Sequence, residues 1–302
     1  MKIQNNIQKG ILLALTTSVI SGIAIFYSKI TVVKIDPLIM ATIRNLFVGF
    51  IFLCLILIRT RAKELKSLSK KNVLLLSLIG IIGGSIPFYL FFFGLKLIGA
   101  QSANVLHKTL FIWVALFAAL FLNEKINKRF ILAGAMVFAG SFLFTPSTLV
   151  WGLGEQLVLL ATLFWSLENI IAKKVLSGVS YETVGLFRMG LGGLVLLLVT
   201  LLTGKGSMIL NLGLLDLITL CIGGIILFFY VYTWYKSLSY APAGLVTLIL
   251  TFSLVVGNLL SGSFAGLSLS HSDLFSMILI AGGVIYLLTS KILIDPSDQK
   301  FK

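Results

Sequence analysis

The sequence predicts an all-α integral membrane protein of ten transmembrane helices, arranged as two inverted five-helix repeats. Three observations carry that prediction. The 302 residues are 58% hydrophobic and only 11% charged, whereas a soluble domain carries roughly 25% charged residues. Apolar stretches long enough to cross a hydrocarbon core of about 30 Å recur along the whole chain. The second half also repeats the first. Lys29 and Arg44 recur as Lys173 and Arg188, an offset of 144, and Gly80, Tyr89, Ala100 and Gly140 recur as Gly223, Tyr232, Ala243 and Gly283, an offset of 143. An odd number of spans per repeat turns the second copy upside down, an arrangement many secondary transporters use to open one site to either side.

The expected spans are residues 10–30, 38–58, 73–95, 100–122, 129–145, 154–174, 181–203, 213–235, 241–263 and 273–294. The first follows Lys2 and Lys9, as a signal peptide would, but no A-x-A-like cleavage site follows it, so it is expected to stay as a helix. The second ends at the longest polar stretch, residues 59–72, which leads into the third. Stretches such as 73–82 lack the polar–apolar alternation of a membrane barrel. Lys125, Lys128 and Arg129 separate the fourth span from the fifth, and Lys173 and Lys174 close the sixth. Lys205 lies between the seventh and eighth, and Lys236 between the eighth and ninth. With the N-terminus inside, 17 of the 24 Lys and Arg residues fall on the inner side and 4 on the outer, the latter being Lys29, Lys34, Lys96 and Lys205. The inner set includes Lys291, Lys300 and Lys302. That bias predicts an inner-membrane protein with both termini cytoplasmic, which needs an even number of spans.

The net charge of +14 sits in short loops and predicts no nucleic-acid partner. Cys54 and Cys221 lie in apolar spans and predict no disulfide. No phosphate-binding loop, metal-ligand set or hydrolase motif stands out, so no cofactor is expected. Close helix packing is expected at Gly80-x-x-x-Gly84, Gly262-x-x-x-Gly266 and the cluster Gly190, Gly192 and Gly193, with a homodimer left open.

Ionisable residues inside a bilayer cost roughly 2.5–3.5 kcal/mol each on insertion scales and invite a functional reading. Arg44, Lys108, Glu168 and Arg188 lie well inside the spans. At a helical rise of about 1.5 Å per residue, Glu168 and Arg188 share a depth and are placed to pair. Arg44 has no carboxylate at its level, the residue equivalent to Glu168 being Ala24, so Arg44, bonding backbone carbonyls or snorkelling to the outer interface, is expected with Arg188 to be a structural charge that supports the fold. Two readings stand for Lys108: contact with a substrate carboxylate or phosphate, or proton relay, against a structural reach towards Glu168. Its neighbour His107 is one step round the helix, so the two are expected to point apart. Tyr89 and Tyr232 are equivalent in the repeats and, with Trp165, are candidates for an aromatic cavity wall.

At this point the residues resemble a known family. Asp36-Pro37 followed by Arg44, then Gly99-Ala100 through Leu122-Asn123-Glu124-Lys125 to Gly140, are similar to the first repeat of a ten-helix EamA-like member of the drug/metabolite transporter superfamily. Leu163-Phe164-Trp165-Ser166, Arg188, Ala243 and Gly282-Gly283 are similar to its second repeat. The resemblance divides the chain into EamA-like repeats at 1–147 and 148–302 that form one transport domain. The chain departs from the family at Phe111 and Leu254, where proline is frequent, and at Leu267, which replaces the equivalent of Glu124. The resemblance implies a non-enzymatic, multi-pass transporter that exports or exchanges a small metabolite, amino acids among them, by alternating access. It places Lys108, Glu168, Tyr89 and Tyr232 on cavity helices and Arg44 and Arg188 on the surrounding shell. Glu124, near the cytoplasmic end of the fourth span, is expected to stabilise packing. Rival readings are an importer of a carboxylate or phosphorylated metabolite and a membrane-embedded lipid-modifying enzyme.

Overall fold

A computed structural model describes residues 2–59, 61–143, 151–264 and 270–289, and every regular element among them is helical. Among the described residues, nine helices are long and apolar enough to cross a membrane. They are α1 (Asn5–Lys34), α2 (Pro37–Ile58), α3 (Lys70–Leu97), α4 (Ala100–Leu122), α6 (Leu153–Val175), α7 (Tyr181–Leu202), α8 (Leu214–Tyr240), α9 (Ala243–Phe264) and α10 (His271–Leu288). Between α4 and α6 lies α5 (Lys128–Leu143), which has 16 residues within the described range. Gly266, Leu267, Lys291, Lys300, Lys302 and the expected ends of the fifth and tenth spans lie outside the described residues.

Several helices extend past the expected limits because their polar ends continue the backbone hydrogen bonding. Caps fix other boundaries: the Asp36 carboxylate accepts from the Leu38 and Ile39 amides at the start of α2, with Pro37 in the first turn. At the end of α4, Asn123 adopts a left-handed conformation with φ 54°, which asparagine tolerates better than most residues.

The two repeats are interlocked. α1 lies along α8 and α3 along α6, which are equivalent pairings with the repeats exchanged. α2 packs on α7, α4 on α9 and α5 on α10. Small residues make the central crossings. A Cβ on Gly84 would lie 1.6 Å from the Arg188 carbonyl oxygen, and one on Gly49 would lie 2.5 Å from Gly190 Cα. Gly192 meets Gly84, and Gly193 meets the Asn45 and Leu46 backbone, so this glycine cluster is occupied within the chain. Thr17 donates to Thr233 at 2.8 Å across α1 and α8, and Thr42 and Thr200 lie 3.0 Å apart across α2 and α7. The shared ancestry also shows at helix ends. Lys29 Nζ donates to the Leu95 and Ile98 carbonyls, and Lys173 Nζ to those of Leu238 and Ala241.

Three spans are interrupted near the centre. α3 breaks at Ser85, α4 at Thr109, and α9 at Thr251 and Phe252. α7 contains a π-helical turn over Phe187–Leu191. The break in α3 follows from Pro87, which has no N–H to bond the Gly83 carbonyl four residues earlier. In lipid such a carbonyl needs another donor. Trp165 Nε1 and Arg188 Nε reach Gly83 O at 2.9 and 3.2 Å, and Asn45 Nδ2 reaches Gly84 O at 2.6 Å.

Candidate substrate cavity

The break in α3 borders a small cavity of about 60 Å³ between the two repeats. Aromatic residues dominate its wall: Phe88, Phe91 and Phe92 from α3, Trp165 from α6, and Tyr230 and Trp234 from α8. Polar groups are few. They include Ser21 and Ser28 of α1, His107 of α4 and Asn169 of α6. The cations at the wall are Arg44 and Arg188, one from each repeat. An apolar cleft with a small set of fixed polar groups is the usual build of a small-molecule site.

The polar groups are held by short local networks. Asn169 donates to the Trp165 carbonyl at 2.8 Å, and its Oδ1 accepts from Trp234 Nε1 at 2.9 Å. The His107 ring packs 5.0 Å from Trp165 and 5.5 Å from Phe91. Lys108 is buried behind it, with Nζ 3.0 Å from Ser21 Oγ and 3.1 Å from His107 Nδ1. The two side chains therefore converge instead of pointing apart. The helix breaks immediately after Lys108, and its long side chain bends back to its neighbour. Neither of its hydrogen-bond partners is Glu168.

Glu168 instead forms a buried group with Arg188 and Tyr235. Its Oε1 accepts from Tyr235 at 2.5 Å, and Arg188 Nη1 lies 3.8 Å from Oε2 and 3.2 Å from the Tyr235 hydroxyl. Arg188 sits against the faces of Phe88 and Tyr235 at 5.7 and 5.5 Å. The structure brings both arginines to the cavity, contrary to the shell position that the resemblance implies, because their long side chains reach inward past the glycines of α3 and α8. A Cβ on Gly223 would lie 1.7 Å from Arg44 Nη2.

Two candidate wall residues stand elsewhere. Tyr89 is half-buried and stacks on Phe93 with centroids 5.9 Å apart, away from the cavity lining. Tyr232 belongs to a polar cluster where α2 meets α7. Its ring lies 5.3 Å from Tyr181 and 5.2 Å from Lys236 Nζ. In the same cluster Glu182 accepts from Arg59 at 2.6 Å and Arg61 at 3.1 Å. Glu124 caps α9, accepting from the Ala243 and Gly244 amides at 2.8 and 3.1 Å, where the helix dipole favours a carboxylate. Sequence reasoning passed over Pro87 and the carbonyls it frees, although a proline within an apolar span is a visible signal.

Helices built as two interlocked repeats around a polar-pointed cavity define a multi-pass membrane protein of the transporter type. The model of the EamA-like transporter family matches residues 8–145 and again residues 152–289. The chain belongs to that family. One solved crystal structure superimposes with a TM-score of 0.72 at 17% sequence identity, covering 91% of this chain and 98% of its own, a likeness of fold alone. No curated protein matches the chain.

Proposed function

We propose that this protein is a secondary transporter that moves a small organic metabolite, an amino acid or related solute, across the cytoplasmic membrane by alternating access, through export or exchange. The observation that carries this reading is the cavity between the repeats, with aromatic walls and one arginine from each copy. His107 and Trp165 border that space, and Lys108 stands behind His107, where it would set the charge felt by a solute or relay a proton. The repeats, residues 1–147 and 148–302, act as one transport domain of inverted halves. α5 would be the tenth span, since its 16 described residues already reach about 24 Å. Ten spans return both termini to one side, and the Lys and Arg bias makes that side cytoplasmic.

A second reading, import of an organic acid or phosphorylated metabolite, is favoured by the two arginines and by the lack of Asp or Glu among the cavity-lining residues described. Counterflow of labelled solutes into proteoliposomes tests transport, and vesicles of known protein orientation give its direction. Saturable, protein-dependent exchange is expected. A folded, correctly inserted protein that exchanges none of a broad metabolite panel would sink the transport reading, and lipid turnover by the same preparation would favour an enzyme.

A further inference from the structure

Arg44 and Arg188 hold equivalent places, yet the protein meets them differently. Beside Arg188 the second repeat presents the Glu168 carboxylate and the Tyr235 hydroxyl. The equivalent residues in the first repeat are Ala24 and Phe92, at offsets of 144 and 143. Phe92 faces Arg44 much as Tyr235 faces Arg188, with the guanidinium carbon 5.9 and 5.5 Å from the ring centres. It has no hydroxyl to offer, and Ala24 has no carboxylate. Both residues line the cavity.

Arg44 is 2% exposed. Its Nη1 donates to Ser28 Oγ at 2.9 Å, while Nε and Nη2 are buried without a partner. Those two N–H groups lie side by side on one edge of the guanidinium plane. That edge matches the two oxygens of a carboxylate, which makes parallel charge-assisted hydrogen bonds with it. A buried donor edge left unmet is costly, so the arrangement calls for an acceptor at some stage of the protein's cycle. In the described conformation the whole edge, Nη2 and Nε together, lies against Gly223 of α8. Separation of α8 from α2 would open it to the cavity.

The geometry points to Arg44 as the recognition residue for a small organic carboxylate with an uncharged apolar body. The ligand's carboxylate meets the Nε–Nη2 edge and gives Arg44 the counter-charge that Glu168 gives Arg188 through its Nη1. Its body packs on Phe88, Phe91 and Trp165. An ammonium group would find no carboxylate among the described lining residues, so of the solutes in the transport reading the site selects organic acids related to amino acids over the amino acids themselves. This site deepens the transport reading and rests on it for its role, whereas binding is measurable without transport.

The test is ligand binding to the purified full chain, followed by quenching of tryptophan fluorescence and by thermal stabilisation. The probes are phenylacetate, phenyl phosphate, phenethylamine and 2-phenylethanol. Saturable binding of phenylacetate is expected, with the other three weaker by roughly tenfold or more, as loss of a charged hydrogen-bonded pair implies. The double variant Ala24→Glu/Phe92→Tyr copies the second repeat into the first. It should fold at least as stably as wild type and lose phenylacetate binding. Arg44→Lys keeps the charge but not the paired edge and should weaken phenylacetate roughly tenfold to a hundredfold; it decides alone if the double variant does not fold. Wild type that fails to bind phenylacetate, binds 2-phenylethanol equally well or prefers phenyl phosphate overturns the assignment, as do variants that bind phenylacetate like wild type. Carboxylate binding without counterflow leaves the site standing and removes the transport reading. Counterflow of other solutes, unchanged in the double variant, does the reverse.

Discussion

Lys29 and Lys173 perform the same task in the two repeats: each side chain ends among the last carbonyls of a helix that is not its own sequence neighbour. Lys29 Nζ lies 2.8 and 2.6 Å from the oxygens of Leu95 in the last turn of α3 and Ile98 just past it, and Lys173 Nζ lies 2.6 and 2.8 Å from those of Leu238 in the last turn of α8 and Ala241 just past it. The acceptors are 143 residues apart and the lysines 144. A cation at a helix C-terminus meets both its unpaired carbonyls and its dipole.

Lys29→Met and Lys173→Met should each lower stability by about 1.5–3 kcal/mol, the range for hydrogen bonds to a charged group. Hydrogen exchange should rise at the end of α3 in the first variant and at the end of α8 in the second. Unchanged protection at both ends, measured by mass spectrometry, would count against the capping role.

Gly84 tests the crossing of α3 and α7. A Cβ there would fall 1.6 Å from the Arg188 carbonyl, a backbone atom that cannot rotate away. Gly84→Ala should cost about 1–3 kcal/mol or more, as overpacking does. Gly99→Ala is the control, because nothing lies within 4 Å of a Cβ at that position. Equal melting temperatures for the two variants would show that the helices separate without cost.

Glu168, Arg188 and Tyr235 should behave as one unit. Glu168→Ala leaves the Arg188 cation buried without its carboxylate and should cost about 3–5 kcal/mol. Tyr235→Phe removes the hydroxyl that bonds to both and should cost about 1–2 kcal/mol. In a double-mutant cycle the loss in the double variant should fall short of the sum of the two single losses. Strict additivity in denaturation measurements would mean that the three side chains act independently.

The pair of Asp36 and Lys205, 2.9 Å apart outside the spans, gives a pH signature. Partial burial pushes the Asp36 carboxyl up, but the Lys205 hydrogen bond and the Leu38 and Ile39 amides outweigh it and hold the group below its ordinary 3.8. Lys205 is held above its ordinary 10.5, mainly by the Asp36 hydrogen bond. A carboxylate with a depressed folded pKa stabilises fully above the ordinary value, and the gain is lost as pH falls through the folded one. The lysine's gain is present below its ordinary value and lost as pH rises through the raised one. The melting-temperature gap between wild type and Asp36→Asn should therefore be flat from about pH 5 to 9 and close below about pH 4. A gap that widens in acid would contradict the pairing.

Hydropathy and the repeat offsets made most of the fold legible, because a lipid-facing helix must be apolar along its length and a duplicated chain keeps its spacing. The pairing of Glu168 with Arg188 was legible as an alternative, since depth follows from counting residues. Direction round a helix does not follow from depth. Arg44 and Arg188 therefore reach the cavity from helices expected in the shell, and the equivalent Tyr89 and Tyr232 lie away from it. Equivalence in the sequence says nothing about function once the two copies have diverged at Ala24 and Glu168. The convergence of His107 and Lys108 depends on a helix break that apolar periodicity does not register.

The exchange of partners between repeats, α1 with α8 and α3 with α6, bears on how the chain is made. When the first five helices leave the ribosome, the surfaces that will bury Thr17, Asn45 and Gly84 have no protein to meet. Those surfaces must wait in lipid, or under an insertion chaperone, until the second copy arrives. Synthesis of the two halves as separate chains should therefore yield neither half in a stable form unless both are present in the same membrane.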